Sequence, residues 1–266
     1  MKKRRLELNS FSIENAAPWK TYLKGGGSFQ PGDQSLRLIN AETTAQQYTN
    51  AQLDDYQGLR RRQFLWQPPL QMEARARFSH PMGHLRGTAG FGFWNDPFLM
   101  TGFRAPTLPR AVWFFYASPP SNMQPDLNVP GFGWKAATID ALRWPFFALA
   151  PFSPLAIPLM NIPFVYRLCW PLAQRLINIS ETLLPVSMTD WHVYKLVWRP
   201  SAVSFSVDGR LVLTTSSAPR GPLGFVMWLD NQYMVITPWG KFKYGLLEAP
   251  GRQWMEIGQL AIATLD

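Results

Sequence analysis

The sequence predicts an all-β fold, an antiparallel sandwich. One observation is the stretch WHVYKLVWRPSAVSFSVDGRLVL, in which Trp191, Val193, Lys195 and Val197 alternate with His192, Tyr194, Leu196 and Trp198. Val203, Phe205 and Val207 then alternate with Ser204 and Ser206. This two-residue period belongs to strands, not to a helix. A second observation is turn chemistry at the breaks. Arg199-Pro200-Ser201 supplies a fixed φ, and Asp208-Gly209 suits the positive φ of a two-residue hairpin turn. A further run at 223–229 follows Gly221-Pro222, giving three successive antiparallel strands. The third observation is composition: 266 residues with 18 Phe, 12 Trp and 8 Tyr fit one large sandwich with an aromatic core and cleft. We therefore read 1–266 as a single β-sandwich domain.

Residues 1–35 mix charge with Gly25-Gly26-Gly27 and Pro31-Gly32, the composition of an extended leader feeding an edge strand. No strand-loop-helix with Lys-Ser/Thr follows these glycines, so they are not read as a phosphate cradle. The run SLRLIN is a strand, and Asp54-Asp55 reads as an acidic pair on a solvated turn. In LQMEARARF, Met72, Ala74, Ala76 and Phe78 alternate with Glu73, Arg75 and Arg77, a strand with one charged face on which Glu73 pairs with its arginine neighbours. His80 and His84 have a zinc spacing only on a helix, and the Pro and Gly of HPMGH break one. No metal site is expected.

The segment GTAGFGFWNDPF brings Phe91, Phe93 and Trp94 beside Asn95 and Asp96, one wall of a ligand site or a strand end with an Asn-Asp-Pro turn. The strand RAVWFFYAS follows, with Trp113, Phe115 and Tyr116. Late in the chain, Trp228 precedes the cluster Asp230-Asn231-Gln232-Tyr233, whose amide, carboxylate and phenol groups beside aromatics are suited to orient a ligand. Residues 254–262 alternate and would close a sheet beside the N-terminal strand.

The pattern W-H-x-Y-x-L-x-W-x-P-x-x-V-x-F-x-V-D-G-x-x-V at 191–212, with GTAGFGFWNDPF, resembles the laminarinase-like, family 16 glycoside hydrolase branch of the concanavalin A-like lectin/glucanase domains. The resemblance implies a jelly roll whose concave sheet carries the cleft. It also implies a strand bearing E-x-D-x-E or E-x-D-x-x-E, since retaining hydrolysis needs two carboxylates about 5–5.5 Å apart. Neither motif occurs in the chain, and residues 111–116 read AVWFFY where it would stand.

The resemblance does not account for residues 137–185, read as an apolar loop and helix inserted between strands. Residues 144–166 carry no charge, and Pro145, Pro151, Pro154, Pro158 and Pro163 argue against an uninterrupted membrane-spanning helix. The segment reads as a lid over the cleft, as an apolar surface dipping into one leaflet with Arg143, Arg167 and Arg175 at the headgroups, or as padding of the outer sheet. At 164–179, Val165, Leu168, Cys169, Leu172, Leu176 and Ile179 have helical spacing, an amphipathic helix docking on the sandwich or on a membrane surface, with Cys169 on its apolar side and read as buried.

The charge of +9, from 26 Lys and Arg against 17 Asp and Glu, makes an anionic membrane surface a plausible partner. Nucleic acid is disfavoured, because no binding motif accompanies the scattered basic residues. One cysteine excludes an intramolecular disulfide. MKKRR opens like a secretory n-region, but LELNSFSIEN is too polar to continue one, so we expect a cytoplasmic location, peripheral to the inner membrane face.

These readings converge on a non-hydrolytic sandwich protein that binds an apolar or amphiphilic small molecule, such as a glycolipid or isoprenoid, and needs no cofactor. Trp94, Asn95, Trp113, Phe115, Tyr116, Trp228, Asn231 and Tyr233 are the expected binding residues. The alternatives are an enzyme, either a divergent glycan hydrolase or a cyclase or isomerase using Asp230 or Asp96, and a peripheral membrane scaffold.

Overall fold

The computed structural model describes residues 5–7, 18–97, 105–124, 126–142, 155, 158–237 and 241–266. Two large antiparallel sheets pack face to face. One runs β14 (Arg210–Thr215), β13 (Val203–Val207), β12 (His192–Trp198), β6 (Leu70–Phe78), β18 (Gln253–Thr264), β4 (Leu36–Asn40) and β3 (Gly27–Pro31), with β1 (Arg5–Glu7) also on β18. The other runs β11 (Ile179–Leu183), β10 (Gly133–Asp140), β8 (Arg110–Ala117), β7 (Thr88–Trp94), β15 (Gly224–Asp230), β5 (Asn50–Asp54) and β2 (Lys20–Lys24). A small third sheet joins β17 (Phe242–Leu246), β16 (Gln232–Ile236) and the parallel β9 (Asn122–Met123).

The expected hairpin forms with Tyr194 opposite Val207 and Trp198 opposite Val203. Asp208 and Gly209 take φ of 49° and 77° and turn the chain into β14. The third strand of this sheet is thus 210–215. The run at 223–229 instead crosses to the other sheet as β15, between β7 and β5. It buries both faces: Phe225, Met227 and Leu229 enter the inter-sheet core, while Val226 and Trp228 join a second apolar cluster on the sheet's outer side. The closing strand behaves as expected, with β18 pairing β4, β6 and β1.

The core follows strand parity. Met72, Ala74, Ala76 and Phe78 of β6 meet Phe91, Phe114, Trp134 and Tyr194 between the sheets. The rings meet largely edge to face, as Phe91 does with Trp134 at 5.8 Å and Phe114 with Phe205 at 5.3 Å. Buried indoles find acceptors: Trp198 Nε1 donates to Pro219 O at 3.0 Å, and Trp134 Nε1 to the Tyr194 hydroxyl at 3.2 Å. The charged face of β6 is organised differently from expectation. Glu256 of β18, not Glu73, binds Arg37 and Arg77, and these arginines lie over Trp254.

Asp54 and Asp55 are not solvated. Asp54 Oδ1 accepts the Tyr56 and Gln57 amides, and Asp55 accepts Trp66 Nε1 and the Phe225 amide. Burial lifts the Asp55 carboxyl to about 7. Within 137–185, residues up to Asp140 belong to β10 and those from Ile179 to β11, so the interposed segment is 141–178. Its proline-rich part, 143–154 with 156 and 157, lies outside the described residues. A helix, α1 (Pro163–Ile177), follows and contains Pro171. Its apolar stripe does not dock on the sandwich and Cys169 is not buried: Tyr166 and Trp170 are buried, whereas Phe164, Leu168, Cys169 and Leu172 face outward. Among the described residues no helix is long and apolar enough to cross a membrane.

Candidate functional site

The outer face of the seven-stranded sheet carries a cleft of about 270 Å³. Strand alternation decides what reaches it. On β8, Val112, Phe114 and Tyr116 fill the core, leaving Ala111, Trp113 and Phe115 for the cleft. On β10 the same parity presents Lys135, Ala137 and Ile139, and on β11 it presents Ile179 and Glu181. Strand β15 contributes Trp228 and Asp230, and β16 walls the cleft with Gln232, Tyr233, Met234 and Ile236.

The centre is an aromatic platform. Trp94 and Trp228 lie nearly parallel at 6.4 Å, Trp113 stacks on Phe115 at 5.2 Å, and Trp113 meets Trp228 at 5.4 Å. The glycines of GFGFW make room for it. A Cβ on Gly90 would stand 2.8 Å from the Trp228 ring, and one on Gly92 would stand 2.6 Å from Trp113 Cβ. The Asp54-capped turn lays Tyr56 over the same face, where its hydroxyl accepts Trp94 Nε1 at 2.7 Å. Trp228 Nε1 donates to Thr88 Oγ1 at 2.9 Å. The indole N–H groups of Trp94 and Trp228 are thus held by the protein, and what these two rings offer a guest is their apolar surface.

Polar groups sit at the margins. Asp230 Oδ1 accepts the Thr88 hydroxyl at 2.8 Å, the Thr88 amide at 3.2 Å and the Gln232 amide at 3.0 Å. Burial nevertheless pushes its carboxyl up to about 6, against the lowering effect of those bonds. On the far side Lys135 Nζ bonds Glu181 Oε2 at 3.0 Å, with both side chains almost fully buried. Burial raises Glu181 to about 7 although Lys135 pulls the other way. Arg110 at the rim is tied to Asp140 at 2.8 Å and to Leu142 O.

Glu181 and Asp230 are the only carboxylates among the described residues that line the cleft. Their strands are four steps apart in the sheet, roughly 19 Å along it at about 4.8 Å per step. That exceeds both the retaining and the inverting spacing of glycoside hydrolysis. Among the described residues no group of three His, Cys, Asp or Glu side chains is placed to hold a metal ion.

Of the residues singled out in the sequence, Trp94, Trp113, Phe115, Trp228, Asp230, Gln232 and Tyr233 come together here. The others do not. Tyr116 points the opposite way from Phe115, into the core, with its hydroxyl donating to Leu85 O at 2.8 Å. Asn95 bridges Leu108 O and the Arg110 amide and pins the two strand ends. Asn231 is consumed by backbone groups, its Nδ2 donating to Thr44 O and Gln47 O and its Oδ1 accepting the Thr49 amide. Asp96 is fully buried at the strand end, outside the cleft lining, with its carbonyl accepting Arg61 Nη2 at 2.7 Å. The expected lid at 144–166 falls mostly outside the described residues. Cleft residues the motif reading missed include Gln52, Thr88, Lys135, Ile139, Ile179, Glu181 and Met234. Lys135 in GWKAATID was findable by strand parity, and Glu181 was not.

No protein-family model matches the sequence, and no curated protein does. Solved structures do match in fold. A laminarinase from Flavobacterium sp. UMI-01 aligns at a TM-score of 0.52 with 15% identity, over 97% of this chain and 98% of that one. The Bacillus licheniformis β-glucanase aligns over the full length of both chains at 0.50 with 10% identity. The chain has the jelly-roll fold of the laminarinases and β-glucanases. A lichenase from a mouse hindgut metagenome gives the same match, at 0.52 and 10% identity over 98% of this chain and 99% of that one. Within this jelly roll, the cleft side of β8 offers Ala111, Trp113 and Phe115 and no carboxylate.

Proposed function

We propose that this jelly roll binds an apolar or amphiphilic small molecule, of the glycolipid or isoprenoid kind, and does not hydrolyse glycans. The observation that supports this most is the lining of the cleft. Trp94, Trp113, Phe115 and Trp228 form its floor, and the two carboxylates among its described lining residues are on strands four steps apart. The similar structures carry the names of glucan-cleaving enzymes, and a retaining hydrolase needs a carboxylate pair at short range. An aromatic surface of this size gains most from covering apolar atoms. Asp230, Gln232 and Tyr233 at one margin would take the polar end of an amphiphile.

One observation favours a second reading, catalysis in the same cleft by a cyclase or isomerase. Asp230 is a buried carboxyl raised to about 6, the range in which an acid can give and recover a proton near neutral pH. On that reading Asp230→Asn abolishes turnover and leaves ligand affinity within about twofold, less than the 1.4 kcal/mol of a tenfold change.

The binding reading is tested with a fluorescent fatty-acid analogue and with laminarin. The chain should bind the analogue, and Trp113→Ala should weaken binding about tenfold or more, as loss of one large aromatic contact implies. Laminarin should yield no new reducing ends. Release of reducing ends that Trp113→Ala abolishes would contradict the proposal.

A further inference from the structure

We infer that α1 and the β16–β17 hairpin form a docking surface for an anionic lipid bilayer. On α1 the outward stripe is Phe164, Leu168 and Leu172, spaced by four residues and 75%, 69% and 63% exposed. Successive members of such a series stand one turn apart on one face of a helix. The opposite side is committed to the protein through Tyr166 and Trp170, buried and stacked at 6.0 Å. Among the described residues this apolar stripe is left in water, as a helix face awaiting a second partner would be.

The hairpin carries the same combination. Phe242 is 74% exposed between Lys241 and Lys243, with Ile236 and Tyr244 also exposed beside it. Charge selects the occupant. Residues 141–180 contain no Asp or Glu but include Arg143, Arg167 and Arg175, and residues 231–247 contain none but include Lys241 and Lys243. Apolar side chains whose nearest charged neighbours in sequence are Arg167, Arg175, Lys241 and Lys243, on a chain of net charge +9, complement a surface that is apolar within and anionic at its headgroups. Both elements adjoin the cleft, since Ile236 lines it and α1 runs into β11, whose Ile179 lines it. Docking there would set the cleft beside the bilayer. The inference holds whatever molecule the cleft takes.

The test is co-sedimentation of the full chain with vesicles of phosphatidylcholine, with and without phosphatidylglycerol. Binding is expected on the phosphatidylglycerol vesicles and should fall as NaCl rises. Leu168→Glu and, separately, Phe242→Glu should each weaken it by about tenfold or more, the worth of one buried large apolar side chain. Both positions are exposed, so thermal unfolding should be unchanged in each variant. Binding that is absent, or indifferent to both substitutions, overturns the inference. So does a dimer in solution that Leu168→Glu dissociates, because the stripe would then cover a second copy of this chain.

Discussion

A Gly92→Ala chain is expected to be about 3 kcal/mol or more less stable than the wild type. Gly92 lies on β7 opposite Trp113 of β8. An added Cβ would stand 2.5 Å from Val112 O and 2.6 Å from Trp113 Cα. These are backbone atoms of a paired strand, so relief requires parting β7 from β8 and not the swing of a side chain. Overpacking of this kind costs about 1–3 kcal/mol, and the φ of 151° adds strain of similar size for a residue with a Cβ. Gly251→Ala is the control. Its φ is 75° but nothing lies within 4 Å of the added carbon, so it should lose only about 1 kcal/mol. Urea unfolding of both variants checks the difference. Equal losses would mean that the fit of Trp113 against β7 is not what this glycine serves.

The pH dependence of stability should lose its Asp230 component in Asp230→Asn. The folded carboxyl titrates near 6 and the unfolded one near 3.8. Between those values the folded chain binds the proton more tightly. The protonated group therefore favours folding at low pH, and that advantage is lost as pH rises from about 4 to 6. The gap corresponds to about 3 kcal/mol. The asparagine amide oxygen can still accept the bonds from Thr88 and Gln232, and it has no charge to bury. Relative to wild type, Asp230→Asn should gain about 3 kcal/mol between pH 4 and pH 7.5 in urea unfolding. Parallel curves for the two chains would contradict the assignment. Asp55 and Glu181, both raised to about 7, act in the same direction in each chain and cancel in the comparison.

Much of this fold is legible in the sequence because strand parity is a local signal. The alternation at 191–207 predicts β12 and β13 in register, and Asp208-Gly209 predicts their continuation into the next strand. The alternation of β6 separates its core residues from its arginines. Where the reading fails, the deciding partner is remote. The run at 223–229 looks like one more hairpin strand, yet it crosses to the other sheet, and local pattern does not encode sheet order.

The cleft is legible only in part for the same reason. Trp94, Trp113 and Trp228 lie on three strands adjacent in space, β8, β7 and β15, of which β15 is remote in sequence. Phe115 and Tyr116 both read as aromatic cleft candidates, and one step of parity sends them to opposite faces. Asn95 and Asn231 look available as ligand groups, but backbone carbonyls and amides use them up. Cys169 fell on the wrong side because the helical spacing identifies an apolar stripe without saying which stripe the protein covers.

The most direct test of the cleft is what it carries out of the cell. The chain, purified from its native host under mild conditions, would be extracted with organic solvent and the extract identified by mass spectrometry, beside a Trp113→Ala preparation. An apolar or amphiphilic compound in near-stoichiometric amount, depleted in the Trp113→Ala extract, is the predicted result. A folded, monomeric chain that yields no such compound and instead binds laminarin oligosaccharides would contradict it.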